Sequence, residues 1–158
     1  MPGYEDSYIG RIRKLVGKEK LIVVATRAVL RDNQGRILFV RRSDNGKWVM
    51  PSGALEPDET LYDGMRREVK EESGLNVIAA KPMAIYSYPS SMTAYGDPYY
   101  QLTVQFLVDQ WSGELLSETD ETTNALFFDI DNLPDGLAGH YAEVIADLKV
   151  YDGQFILK

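Results

Sequence analysis

The chain contains no cysteine, which excludes disulfides, thiolate metal ligands and thiol nucleophiles. Histidine occurs once, and His140 reads as a helix-surface residue rather than a catalyst. Long hydrophobic runs are also missing. Stretches such as LIVVA, Leu21 to Ala25, fall far short of the roughly 20 residues a membrane-spanning helix needs. The opening MPGYEDSYIG lacks the basic-then-apolar order of a secretory signal, so no membrane association and a cytoplasmic location are expected. Positive charge is in deficit: 17 Lys and Arg stand against 24 Asp and Glu, a net charge of −7. That balance disfavours a nucleic-acid backbone as partner. It leaves room for a small phosphorylated ligand if divalent cations stand between ligand and protein, which directs attention to clustered carboxylates.

What is present describes one soluble domain. A length of 158 residues, 44% hydrophobic and 26% charged, suits a single compact core, and no repeat or linker-like tract divides it. Asp6 to Gly17 carries Ile9, Ile12, Leu15 and Val16 at helical spacing. LIVVATRAVLRD and RILFVRR are β-rich runs around the turn signal DNQG and read together as a hairpin. GKWVMPSGALEPDE reads as loop with at most short strand. Thr60 to about Ser73 is helical, with Thr60 and Asp63 as a capping box, Gly74 as stop, and Leu61, Met65 and Val69 as the buried stripe. NVIAAKPMAIYSY, PYYQLTVQFLVDQW and ALFFDI read as strands, and YSYPSSMTAYGDPYY as a tyrosine-rich loop. GHYAEVIADLKVYD is an amphipathic helix with Tyr141, Val144, Ile145 and Leu148 inward. The mixture predicts an α/β fold, a sheet sandwiched between helices.

The stretch RREVKEESGL, Arg66 to Leu75, carries the chemistry. At about 100° per residue, Glu68 and Glu72 lie about 40° apart and Glu71 about 60° to the other side, so three carboxylates share roughly a 100° arc. Like charges at these spacings oppose helix stability by a few tenths of a kcal/mol per pair. Such a cluster beside a buried edge suggests a hard divalent cation, Mg²⁺ or Mn²⁺ rather than zinc, although a solvated acidic face has the same local pattern.

The wider spacing separates these readings. Gly53, five residues, Glu59, seven residues, then Arg67-Glu68-Val69-Lys70-Glu71-Glu72-Ser73-Gly74-Leu75 matches every fixed position of the signature of the Nudix hydrolases. The resemblance continues through RILFVRRSDNGKWVMPSGALEPDE and ALFFDIDNLP and spans Ala25 to Pro134. It implies a Nudix α/β/α sandwich around a mixed sheet, a single domain over residues 1–158 with residues 1–20 as a helical extension. It also implies Mg²⁺-dependent hydrolysis of a small nucleotide's diphosphate linkage by water, with Mn²⁺ able to substitute. By the same resemblance Glu68 and Glu72 are the principal metal ligands, with Glu71 in their cluster and the Ser52 carbonyl available where many members have glycine. Glu59 joins through metal or water, and Arg67 orients the glutamates. Of the later acids Glu118, Asp120 and Glu121, the last stands at the distance from the late strand expected of a base or further ligand.

Substrate contacts are less sharply marked. Arg41 and Arg42 end a strand beside Trp48, but neighbouring strand residues face opposite ways, so one of the two arginines at most points into the site. Arg27 is the odd residue in an apolar strand, and Tyr88 is one of several tyrosines able to stack on a base. The leading substrate is a nucleoside triphosphate or related nucleoside diphosphate derivative. ADP-ribose or a nucleotide sugar is the alternative, and a homodimer is an open option. A ligand-sensing module without catalysis would be expected to have an eroded signature, and this one is intact. The isomerase chemistry known on this fold uses a cysteine, which is absent.

Overall fold

Leu21–Leu30 (β1) is the strand around which the molecule is organised, and the residues described by the computed structural model are 3–158. On one side β1 pairs antiparallel with the short edge strand Ser52–Ala54 (β4). On the other it runs parallel to Pro98–Ser112 (β6), followed outward by Asn76–Met92 (β5) and Ile156–Leu157 (β8). The mixed sheet thus has the order β4-β1-β6-β5-β8. A smaller antiparallel sheet places Ile37–Arg42 (β2) between Trp48–Val49 (β3) and Thr122–Phe128 (β7).

Two expectations about turns change. The DNQG turn exists: the Asp32 carboxylate accepts from the backbone N–H of Gln34 and Arg36 at 3.0 and 2.9 Å. Its flanking strands nevertheless enter different sheets and share only the bridge Arg31–Ile37, because β4 and β6 already fill both edges of β1. The tyrosine-rich segment is not a loop but the two arms of a long β5–β6 hairpin, turning at Thr93–Asp97. Pro89 does not break it, because the ladder shifts register between Tyr88 and Ser91, where the missing N–H is tolerated.

Helices cover both faces of the mixed sheet. Leu61–Ser73 (α2) packs on one, where Tyr62 meets Phe106 edge-on at 5.3 Å. Tyr141–Val150 (α3) covers the other: Tyr86 donates to Asp147 at 2.8 Å, the Tyr141 hydroxyl accepts from the Met50 N–H at 2.8 Å, and the Tyr141 ring lies 5.9 Å from that of Phe39. The buried core joins Ala28, Val29 and Leu30 of β1 to Ile37–Val40 of β2, Met65 and Val69 of α2, and Val144 and Leu148 of α3. Tyr8–Val16 (α1), capped by Ser7 and preceded by a single turn at Tyr4–Asp6, lies outside that core. Among the described residues no helix is long and apolar enough to cross a membrane.

Candidate active site

The local signals of α2 hold. Thr60 Oγ1 accepts from the Asp63 N–H at 3.1 Å, and Gly74 closes the helix with φ 78°. The buried face, however, is not the purely apolar stripe. Leu61 is 38% exposed, whereas Met65, Glu68, Val69 and Glu72 are all buried, so two carboxylates lie within the packed face rather than beside it. Burying carboxyl groups is costly, and this helix does so twice.

Glu121 completes the group. The Thr122 hydroxyl donates to the Glu72 carbonyl at 3.0 Å, and the Ser43 N–H donates to the Glu121 carbonyl at 2.9 Å, tying the start of β7 to α2 and to the end of β2. Carboxylate oxygens of Glu68, Glu72 and Glu121 consequently lie within 4.8 Å of one another. Among the described residues neither Glu118 nor Asp120 joins them. Glu71 lines the same cleft, of about 460 Å³, but is held one step away by Arg67.

Arg67 organises this floor. Its Nε and Nη2 both donate to the Glu59 carboxylate, Nη1 donates to Glu68 at 2.7 Å and to Glu71 at 3.0 Å, and Nη2 reaches the Ala54 carbonyl at 3.2 Å. The contact with Arg67 holds the Glu59 carboxyl below its ordinary range. The cluster shifts the other way. Burial pushes Glu68 up to about 7 despite Arg67, and burial and then Glu68 raise Glu72 well above its usual value. Burial followed by Glu71 also raises Glu121. Among the described residues Glu72 accepts only the Ser52 N–H, at 3.0 Å, and forms no ion pair. Three converging oxygen donors, of which Glu68 alone touches a cationic side chain among the described residues, fit a hard divalent cation.

A model of the NUDIX domain matches residues 21–148. The chain belongs to the Nudix family. It is 32% identical over 120 residues to an ADP-ribose pyrophosphatase of Methanocaldococcus jannaschii, covering 73% of this chain and 67% of that one. It is 34% identical over 121 residues to an NAD-capped RNA hydrolase NudC of Vibrio atlanticus, covering 72% of this chain but 38% of the relative. Its fold matches the crystal structure of a mutator MutT protein from Bacillus halodurans with a TM-score of 0.71 at 18% identity, over 85% of this chain and 86% of the other. It is therefore a Nudix hydrolase, and this family generally uses divalent metals.

The geometry also accounts for individual positions of the Nudix signature. Gly53 is required by close approach: a Cβ there would overlap the Glu68 carboxylate. Ser52 in place of glycine needs no special backbone, because no described non-glycine residue has positive φ. Of the two strand-end arginines, Arg42 lines the acidic cleft and pairs with Asp44 at 2.6 Å, while Arg41 turns away to the Gly46 carbonyl.

The remaining candidates lie elsewhere. Trp48 packs edge-on against Phe128 at 5.1 Å, outside the cleft. Arg27 is only 2% exposed; Nε donates to Gln105 at 2.7 Å and its guanidinium lies 5.3 Å from the ring centres of both Tyr86 and Tyr141. Tyr88 belongs to the same group, its hydroxyl 3.4 Å from Arg27 Nη2. Sequence reasoning missed Tyr4, Ser7 and Glu56, which line the acidic cleft together with Tyr95 of the tyrosine-rich segment. They come from segments outside the signature or carry no local pattern that would single them out.

Proposed function

We propose that this Nudix hydrolase is a Mg²⁺-dependent pyrophosphohydrolase that opens the diphosphate linkage of a small nucleotide by attack of water. The observation that carries the reading is the convergence of Glu68, Glu72 and Glu121 within 4.8 Å in a cleft also lined by Arg42. Glu68 and Glu72 are the principal ligands, with the Ser52 carbonyl beside them and Glu71 at their margin. A divalent cation bound there would neutralise phosphate charge and make an attacking water more acidic. Arg67 holds Glu59, Glu68 and Glu71 in place by direct contact. Glu121, whose affinity for a proton is raised, is suited to take the proton from water, since an efficient base works near its own pKa. Arg42 is the cation placed to meet a phosphate oxygen. Arg27, Trp48 and Tyr88 are assigned to packing around the site rather than to contact with substrate.

Phosphate and pyrophosphate release over a panel of nucleoside triphosphates and ADP-ribose tests this reading, with Glu72→Gln as control. Mg²⁺-dependent release by the wild type alone is expected, and equal release by both proteins on every substrate would sink it. The ADP-ribose pyrophosphatase relative supports a second substrate reading, a nucleoside diphosphate joined to a sugar. The products separate the two: pyrophosphate with a nucleoside monophosphate from a triphosphate, AMP with ribose 5-phosphate from ADP-ribose.

A further inference from the structure

The cleft has a wall that the matched domain, beginning at residue 21, does not include. Tyr4 and Ser7 line the acidic cleft, and the same two residues continue with Ile9 and Arg13 along an adjoining arm of about 320 Å³. The two spaces share Ser52, Gly53 and Ala54 and so form one continuous groove. Opposite α1, the arm is lined by Val23, Ala25, Tyr99 and Gln101. Its character therefore changes along its length: Arg42 and Glu56 line both spaces, and away from the carboxylate cluster the arm adds aliphatic and aromatic groups with one amide, beside Arg13 and Thr93.

The N-terminal segment is held in this position from three sides. The buried Arg13 guanidinium donates to the carbonyls of Gly17, Glu19 and Pro98, the last at 2.6 Å, and among the described residues it pairs with no carboxylate. The Tyr8 N–H meets the Glu56 carboxylate at 3.4 Å. The Tyr4 ring lies 5.8 Å from Tyr95 at the hairpin tip, although both rings remain largely exposed.

Building on the pyrophosphohydrolase reading, we propose that Tyr4 and Ile9 of the N-terminal segment, with Tyr99 and Gln101, form the recognition wall for the aromatic base of the nucleotide. A diphosphate held at the carboxylates leaves the attached nucleoside next to Ser52–Ala54, where the arm begins. A base has apolar faces and polar edges, which suit an arm of aliphatic and tyrosine side chains with one amide. Specificity in this chain is thus set partly by a helix that contributes nothing to the metal cluster.

The test compares Tyr4→Ala/Ile9→Ala with wild type, and Leu15→Ala, 81% exposed on the same helix, serves as control. Calorimetry measures AMP, GMP, CMP and UMP against ribose 5-phosphate. Wild type should prefer the best nucleotide by about tenfold or more over ribose 5-phosphate, and the double variant should lose most of that preference, while Leu15→Ala keeps it. In kinetics, KM for the nucleotide should rise about tenfold more than KM for inorganic tripolyphosphate. An unchanged preference in the double variant, or none in wild type, overturns the wall assignment. Base-selective binding without hydrolysis of any substrate overturns the pyrophosphohydrolase reading and leaves the wall standing.

Discussion

Arg67 distributes one planar guanidinium over three carboxylates, a task for which a lysine's single ammonium is poorly shaped. Arg67→Lys should retain the fold by circular dichroism and lose about 10–100-fold in kcat, the usual effect of disturbing partners that orient metal ligands. Glu72→Gln should abolish activity yet stabilise the metal-free protein at pH 8. The sign follows from the raised pKa: a carboxyl that holds its proton more tightly when folded contributes stability below its ordinary value of 4.5, lost as pH rises through the folded value. At pH 8, above the ordinary carboxyl value, folding of the wild type therefore carries a penalty that glutamine avoids, as a buried charge or as a proton taken up. A melting temperature roughly 2–4 °C higher is expected, and a lower one would count against a raised proton affinity of the buried Glu72 carboxyl. Arg27 stood out in the sequence as a cation in an apolar strand. Its setting, between two tyrosine rings with an amide as partner, depends on β5, β6 and α3 and could not be read locally.

Elements were most legible where the determining interactions are close in sequence. α2 begins at Thr60 and ends at Gly74 because the cap and the left-handed stop are written within the helix's own span. The hairpin expected around DNQG failed for the converse reason: the turn is local, but strand partners are chosen by edges formed far along the chain. β4 is three residues long and contributes little to the sheet, yet it brings Gly53 against Glu68. Gly53→Ala should force that carboxylate aside and reduce kcat/KM by about 100-fold or more, since displacements near 1 Å carry such costs. Retained activity in that variant would show that the loop yields without moving the ligand.

At the scale of the molecule, two sheets and a helix converge on one acidic floor. Glu68 and Glu72 arrive on α2, while Glu121 is delivered by the connection into β7. Metal binding must displace the proton that burial keeps on Glu68 up to about pH 7, so Mn²⁺ affinity should rise with pH up to and across that value. Calorimetric titration from pH 5.5 to 8 checks this. A flat profile would remove Glu68 from the ligand set. The spacing from Gly53 to Leu75 determined by itself the helix, its caps, the acidic arc and the family resemblance, because all of these depend on residues within a few helical turns. Among the later acids the distance from the late strand already singles out Glu121, but only the tertiary structure decided that Arg42 and not Arg41 faces the cluster and that Tyr4 lines the cleft. Those outcomes depend on strand pairing and packing between residues far apart in sequence, for which no local spacing carries a signal.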